Sequence, residues 1–301
     1  MKKNLISKII YKNHDHASHN NNIHNVNNHY MQGNDKQQQH HNHHQSSNQT
    51  SSSSVYYNVN VRFDPITPIA GKTTELVLSI TDQKLGDPIK EFEFVHDKLI
   101  HVIIVAEDLS YFAHIHPTMV ASPNDYNTFT VSHTFPESGK YKLWVDFKPK
   151  GGNQTLSALK FNVEGQPIHT PEELVYEEKY TKRSLDSHYQ ISLKIPHKIV
   201  AQNDVDITFN ISDSSGRPIT NLEPLMAAGG HSVIISSDLR EFLHVHPTVE
   251  VDANWRGGPD ISFKTIFPRP GLYKAWGTIS ASRKSNYVCW VYPKRRWLKF
   301  I

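Results

Sequence analysis

Cysteine is nearly missing from this chain of 301 residues: Cys289 is the only one, so no intrachain disulfide can form and no cysteine-ligated zinc site is available. Cys289 itself, in NYVCWVYP with no basic neighbour, reads as an inert thiol on a strand. Long apolar runs are missing too, and nothing approaches the roughly 18 residues of a membrane-spanning helix. The start, MKKNLISKIIYKNHDH, is basic, but Ser7 and Lys8 break its apolar stretch before it reaches the ~7–15 residues of a secretory core, so the default compartment is cytoplasmic. Glycine-rich phosphate loops and nucleophile elbows are absent. Excess charge is also scarce. The formal net charge of +3 sits wholly in residues 1–54, where five lysines face two acids, and the remainder is balanced at 27 basic and 27 acidic residues. A neutral body lacks the basic face with which a nucleic-acid groove displaces counterions.

What is present divides sharply. Residues 1–54 are a tract of Asn, Gln, His and Ser holding nine of the 20 histidines. With neither Phe nor Trp it cannot bury enough apolar surface to offset ordering entropy, and it is expected to be a disordered tail with at most weak metal capture. From Val55 onward short β-branched and aromatic runs alternate with Gly, Pro, Asp and Ser, which predicts an all-β fold.

This body repeats itself. LIHVIIVAEDLSYFAHIHP (99–117) aligns with GGHSVIISSDLREFLHVHP (229–247) at an offset of 130, and FPESGKYKLW (135–144) aligns with FPRPGLYKAW (267–276) at an offset of 132. Each unit spans about 110 residues, the size of one β-sandwich. The reading is two tandem β-sandwich domains, immunoglobulin/cupredoxin-like, at 55–165 and 186–293, joined by a linker at 166–185 and ending in a basic, hydrophobic tail at 294–301. Thr170-Pro171-Glu172-Glu173 has the form of a capping box, so the linker is either a short helix or extended.

The repeated histidines carry the chemical signal. If HVIIVA and YFAHIH form a hairpin around EDLS, Ala106 pairs with Tyr111, and His101, His114 and His116 share one face with Ile103, Val105 and Phe112. The same construction gathers His231, His244 and His246 above Val233, Ile235 and Phe242. Ser232, Ser236 and Glu241 then mark the opposite face as the wet one, which places the rings at the end of the sandwich core. Buried imidazoles need partners, and either a metal ion or a hydrogen-bonded histidine network would serve. His96, His133 and Met226 are further candidate ligands. Three imidazoles with a fourth His or Met suit copper, with zinc as the alternative. Glu107 and Asp108 lie at the turn, far from the rings, so no acid or base adjoins them and catalysis is the weakest reading. Trp144 and Trp276 are expected in the core, and Gly-x-Tyr at 139–141 and 271–273 has the form of a tyrosine corner.

The pattern H-x-V-I-I-x-x-D-L-x-x-F-x-H-x-H-P followed by F-P-x-x-G-x-Y-K-x-W resembles YtkA-like modules of the cupredoxin/immunoglobulin type, over about 55–293 and in two copies. That resemblance implies secreted, copper- or heavy-metal-associated proteins. Two functions follow: a non-enzymatic metal-binding protein that sequesters or hands off copper, or zinc, through the two triads; or a structural or adhesive pair of immunoglobulin-like domains whose histidines are structural and whose partner is another protein.

Overall fold

The computed structural model describes residues 57–95, 97–120, 127–166, 175–176, 181–183, 188–280 and 296–300. The N-terminal tract, His96, the capping-box residues and Cys289 lie outside them. The described residues contain strands and no helix long and apolar enough to cross a membrane.

Repeat one comprises β1 (Tyr57–Asp64), β2 (Thr73–Asp82), β3 (Phe92–Glu93), β4 (Ile100–Ala106), β5 (Phe112–Ile115), β6 (Thr118–Met119), β7 (Thr128–Thr134), β8 (Gly139–Pro149) and β9 (Thr155–Val163). The segment expected as a linker supplies two short strands, β10 (Val175–Tyr176) and β11 (Thr181–Arg183). Repeat two follows with β12 (Tyr189–Lys194), β13 (Asp204–Asp213), β14 (His231–Ser236), β15 (Phe242–Val245), β16 (Asp260–Ile266), β17 (Gly271–Thr278) and β18 (Arg296–Phe300). The basic, hydrophobic C-terminal segment, for which a final strand is the favoured reading, supplies β18, antiparallel to β17 and parallel to β10.

Each repeat is a pair of sheets. In repeat one β1-β2-β7-β6 faces β3-β8-β4-β5, with β9 also on β8; in repeat two β11-β12-β13-β16 faces β10-β18-β17-β14-β15. The alternating sequences of β2 and β13 have the same burial pattern, apolar side in and polar side out. Leu76, Leu78 and Phe129 of repeat one meet Val102, Ile104, Leu143 and Phe147. Ile207, Phe209 and Phe263 of repeat two meet Ile234, Tyr273 and Ala275. Burial of each such side chain is worth about 1.5–3 kcal/mol. Both tyrosine corners form: the Tyr141 hydroxyl donates to the Glu137 carbonyl and that of Tyr273 to the Arg269 carbonyl, each at 2.9 Å.

Strands β4 and β14 behave differently, because they are buried along their whole length on both faces. One face of each lines its own sandwich. The other packs against the opposite repeat, in a third core of Ile103, Val105, Leu109, Phe112 and Trp144 with Val233, Ile235, Leu239 and Trp276. This corrects two expectations. Ser232 and Ser236, 1% and 2% exposed, lie on the buried face that includes Ile234, so that face is not wet. And the histidine face, with Trp144 and Trp276, belongs to the junction between repeats and not to the end of a sandwich core. The cause is visible in the runs HVIIVA and HSVIIS, which are apolar at nearly every position; continuous apolarity marks a strand covered on both sides.

The junction has reciprocal contacts, as expected for two similar surfaces meeting about a pseudo-twofold axis. Phe112 stacks on Trp276 at 4.7 Å, and Phe242 stacks on Trp144 at 5.2 Å. Lys142 donates to the Leu239 carbonyl at 2.6 Å, and Lys274 to the Leu109 carbonyl at 2.5 Å. Leu109 and Leu239 hold the left-handed conformation, φ 56° and 60°. An aspartate just before each leucine braces its turn, accepting the amide of Ser110 or Arg240.

Candidate metal centre between the repeats

The hairpin register expected from sequence is the register observed: Ile103 pairs with His114 and Val105 with Phe112, as Val233 does with His244 and Ile235 with Phe242. Strand alternation therefore brings the rings together. In each triad, His101, His114 and His116 or His231, His244 and His246, one ring nitrogen per residue lies within 4.8 Å of the others.

Fixed acceptors determine the tautomers of three rings. A carbonyl can only accept, so His101 Nε2 donates to Val95 O at 2.6 Å and keeps its lone pair on Nδ1. His231 Nε2 donates to Leu225 O at 3.0 Å with the same result. His244 Nδ1 lies 3.2 Å from the Asp146 carboxylate, which leaves Nε2 with the lone pair. His101 Nδ1 is in turn 2.9 Å from His114 Nε2. The Nε2 atoms of His116, His244 and His246 and Nδ1 of His231 are all shielded from water. A ring held by a backbone carbonyl or carboxylate through one nitrogen, with the other directed into a cluster, is the arrangement metal-binding histidines use.

Burial favours the neutral form of two of the rings in the first triad. Burial holds His114 well below the usual imidazole range, reinforced by the neighbouring histidines. Burial also lowers His116 to about 3, with His101 and Lys98 adding to the effect. Neutral imidazole is the form that ligates a metal.

The two triads also meet one another. The His101 and His244 rings are 5.6 Å apart and those of His114 and His244 are 5.8 Å apart, comparable with the 4.6–5.1 Å inside the first triad and 4.9–6.3 Å inside the second. Asp146, on β8 opposite His101, is 3% exposed and is the acid at this junction that sequence reasoning overlooked. The Gln154 amide reaches both of its oxygens, at 2.8 and 2.9 Å. The signal for Asp146 was its position two residues after Trp144, on the same strand face.

The additional candidates fall elsewhere or nearby. His133 sits in the other sheet of repeat one, its Nε2 3.0 Å from the Tyr111 hydroxyl, and joins neither triad. Met226 is in the turn closed by Leu225 and Ala228, next to the carbonyl that holds His231. Val95 and Lys98 close the equivalent turn of repeat one, and His96 lies outside the described residues.

Fold and site together define a two-repeat β-sandwich protein with six clustered histidines at the junction of its repeats. The chain belongs to the family of a domain of unknown function (DUF8832), whose model matches residues 51–165 and 183–292. No curated protein matches it. Among solved structures, the Escherichia coli adhesin FdeC is similar at 13% identity and TM-score 0.26, over 83% of this chain and 66% of the adhesin. Trypsin-activated alpha-2-macroglobulin from Escherichia coli is similar at 10% identity and TM-score 0.25, over 75% of this chain and 14% of that one. Likeness this remote carries no functional argument.

Proposed function

We propose that this is a non-enzymatic metal-binding protein that holds copper, with zinc second, through His101, His114 and His116 and through His231, His244 and His246, for sequestration or hand-off. The observation that carries the reading is the pair of triads whose ring nitrogens converge while backbone carbonyls fix His101 and His231 from behind. A nitrogen-only set of neutral imidazoles suits copper and zinc, and copper stands above zinc in intrinsic affinity. The resemblance to copper-associated YtkA-like modules agrees with that choice.

The test is metal content and thermal stability of the full chain against the double variant His114→Ala/His116→Ala, so that the histidines of the tail contribute equally to both. The variant should lose one equivalent of copper. Chelation should lower the wild-type melting temperature, since an ion bound only by the native state adds about 2.7 kcal/mol at a hundredfold excess over Kd. A second reading, a protein-interaction module with structural histidines, draws on the direct His101–His114 contact at 2.9 Å. It predicts instead that the double variant is destabilised with metal content unchanged, and that chelators leave melting unmoved.

A further inference from the structure

We propose that the two triads form one dinuclear centre, in which two copper ions are held as a pair between the repeats and coupled through the Asp146 carboxylate. This rests on the reading of the triads as metal sites and adds to it nuclearity, dependence between the sites and a residue that links them.

Three observations carry it. The six rings are one cluster and not two, because the separations across the junction, 5.6 and 5.8 Å, fall within the range found inside the triads. The link is also crossed: Asp146 belongs to β8 of repeat one, beside His101, yet its carboxylate engages His244 of repeat two. A carboxylate behind a ligating histidine fixes the ring and raises its basicity. Finally, Asp146 and His244 have side chains only 4% and 5% exposed. The Gln154 amide and the His244 ring already hold this carboxylate, and cations seated in the adjacent triads would add favourable charge beside it. The same balance favours the monovalent copper ion. Six neutral rings and one carboxylate leave two Cu(I) ions with a net charge of +1, against +3 for two divalent ions.

The centre therefore exists only when both repeats are docked. Asp146 acts here as a positioning residue for His244, and uptake of the second ion depends on it.

The experiment titrates the full chain with Cu(II) as a paramagnetic probe and records electron paramagnetic resonance after each addition, with His114→Ala/His116→Ala as comparator. The expected result is a spin-coupled pair: a half-field line in the wild type that is absent from the comparator. Asp146→Asn should weaken uptake of the second ion by about 10–100-fold, with partial recovery in Asp146→Glu. If the triads take up two ions with the spectra of isolated ions, the dinuclear centre is overturned and the metal-site reading stands. Uptake in a folded Asp146→Asn equal to wild type overturns the coupling role of Asp146. Equal copper uptake by wild type and comparator overturns both proposals. The wild-type spectrum decides nuclearity without any variant that must fold.

Discussion

The two triads have the same residues at the same spacing, yet their surroundings differ. In repeat one the ring at the second position, His114, contacts His101 of its own triad; in repeat two the equivalent ring, His244, contacts a carboxylate of the other repeat. The difference traces to one position. Asp146 on β8 corresponds to Thr278 on β17, where each lies opposite the first histidine of its triad. Duplication preserved the donors and their backbone carbonyls while the acid exists once. Equal triads therefore do not have equal surroundings, and groups behind a histidine change what its ring can do.

The largest effect should come from the junction that both triads need. Trp276→Ala removes a fully buried ring stacked on Phe112 and should cost about 3–5 kcal/mol in urea unfolding, and Trp144→Ala a similar amount if the pseudo-twofold is energetically real. A difference of more than about 2 kcal/mol between them would show that the repeats contribute unequally.

Acid should next distinguish the repeats. His133 is buried against Phe135 and Tyr111, and burial lowers it to about 4. A group depressed in the folded state stabilises above its unfolded value of about 6.5 and loses that contribution as pH falls from there to about 4. The loss is on the order of 3 kcal/mol. His133→Thr, which installs the residue found at position 265 of repeat two, should make stability fall less steeply across that window, the remaining slope coming from His114 and His116, measured by denaturant titrations at each pH.

Thr278→Asp should sharpen the comparison directly. It places a carboxylate where repeat two lacks one, and should narrow the gap between the first and second metal affinities in calorimetric titration by about tenfold. An unchanged gap would mean that Asp146 does not set it. The smallest effect belongs to the lysines. Lys274 is 2% exposed and burial lowers it to about 8, whereas Lys142 is more open. Replacing either by Met should cost about 1 kcal/mol, with Lys274→Met the milder because it also removes a desolvated charge.

Much of this was legible from residues alone. The repeat offsets located two sandwiches, the alternation of TTELVLSI and DVDITFNI marked their inner faces, and four-residue turns, EDLS in repeat one and SDLR in repeat two, fixed the hairpin register that gathers each triad. What the hairpin faces was misread in part. Ser232 and Ser236 suggested water, but their hydroxyls lie inside: Ser236 bonds Asp238 at 2.7 Å and accepts from the Glu241 amide at 2.9 Å. A serine whose hydroxyl is satisfied locally, as at Ser236, is a poor marker of exposure, and Ser232 is buried even without such a partner. The docking of the repeats, and with it Asp146 beside His244, was invisible because it joins residues 98 positions apart with no local pattern. The Val95 and Leu225 carbonyls were invisible because any residue supplies one.

The reciprocal junction has a further consequence. Two identical subunits meeting about a twofold axis must accept every substitution on both sides of that axis. Two copies in one chain need not. At the position of Asp146 and Thr278, one copy carries a carboxylate and the other a hydroxyl. Covalent fusion thus turns a symmetric surface into one able to carry a lone carboxylate, and gives two histidine triads of identical composition a means of differing.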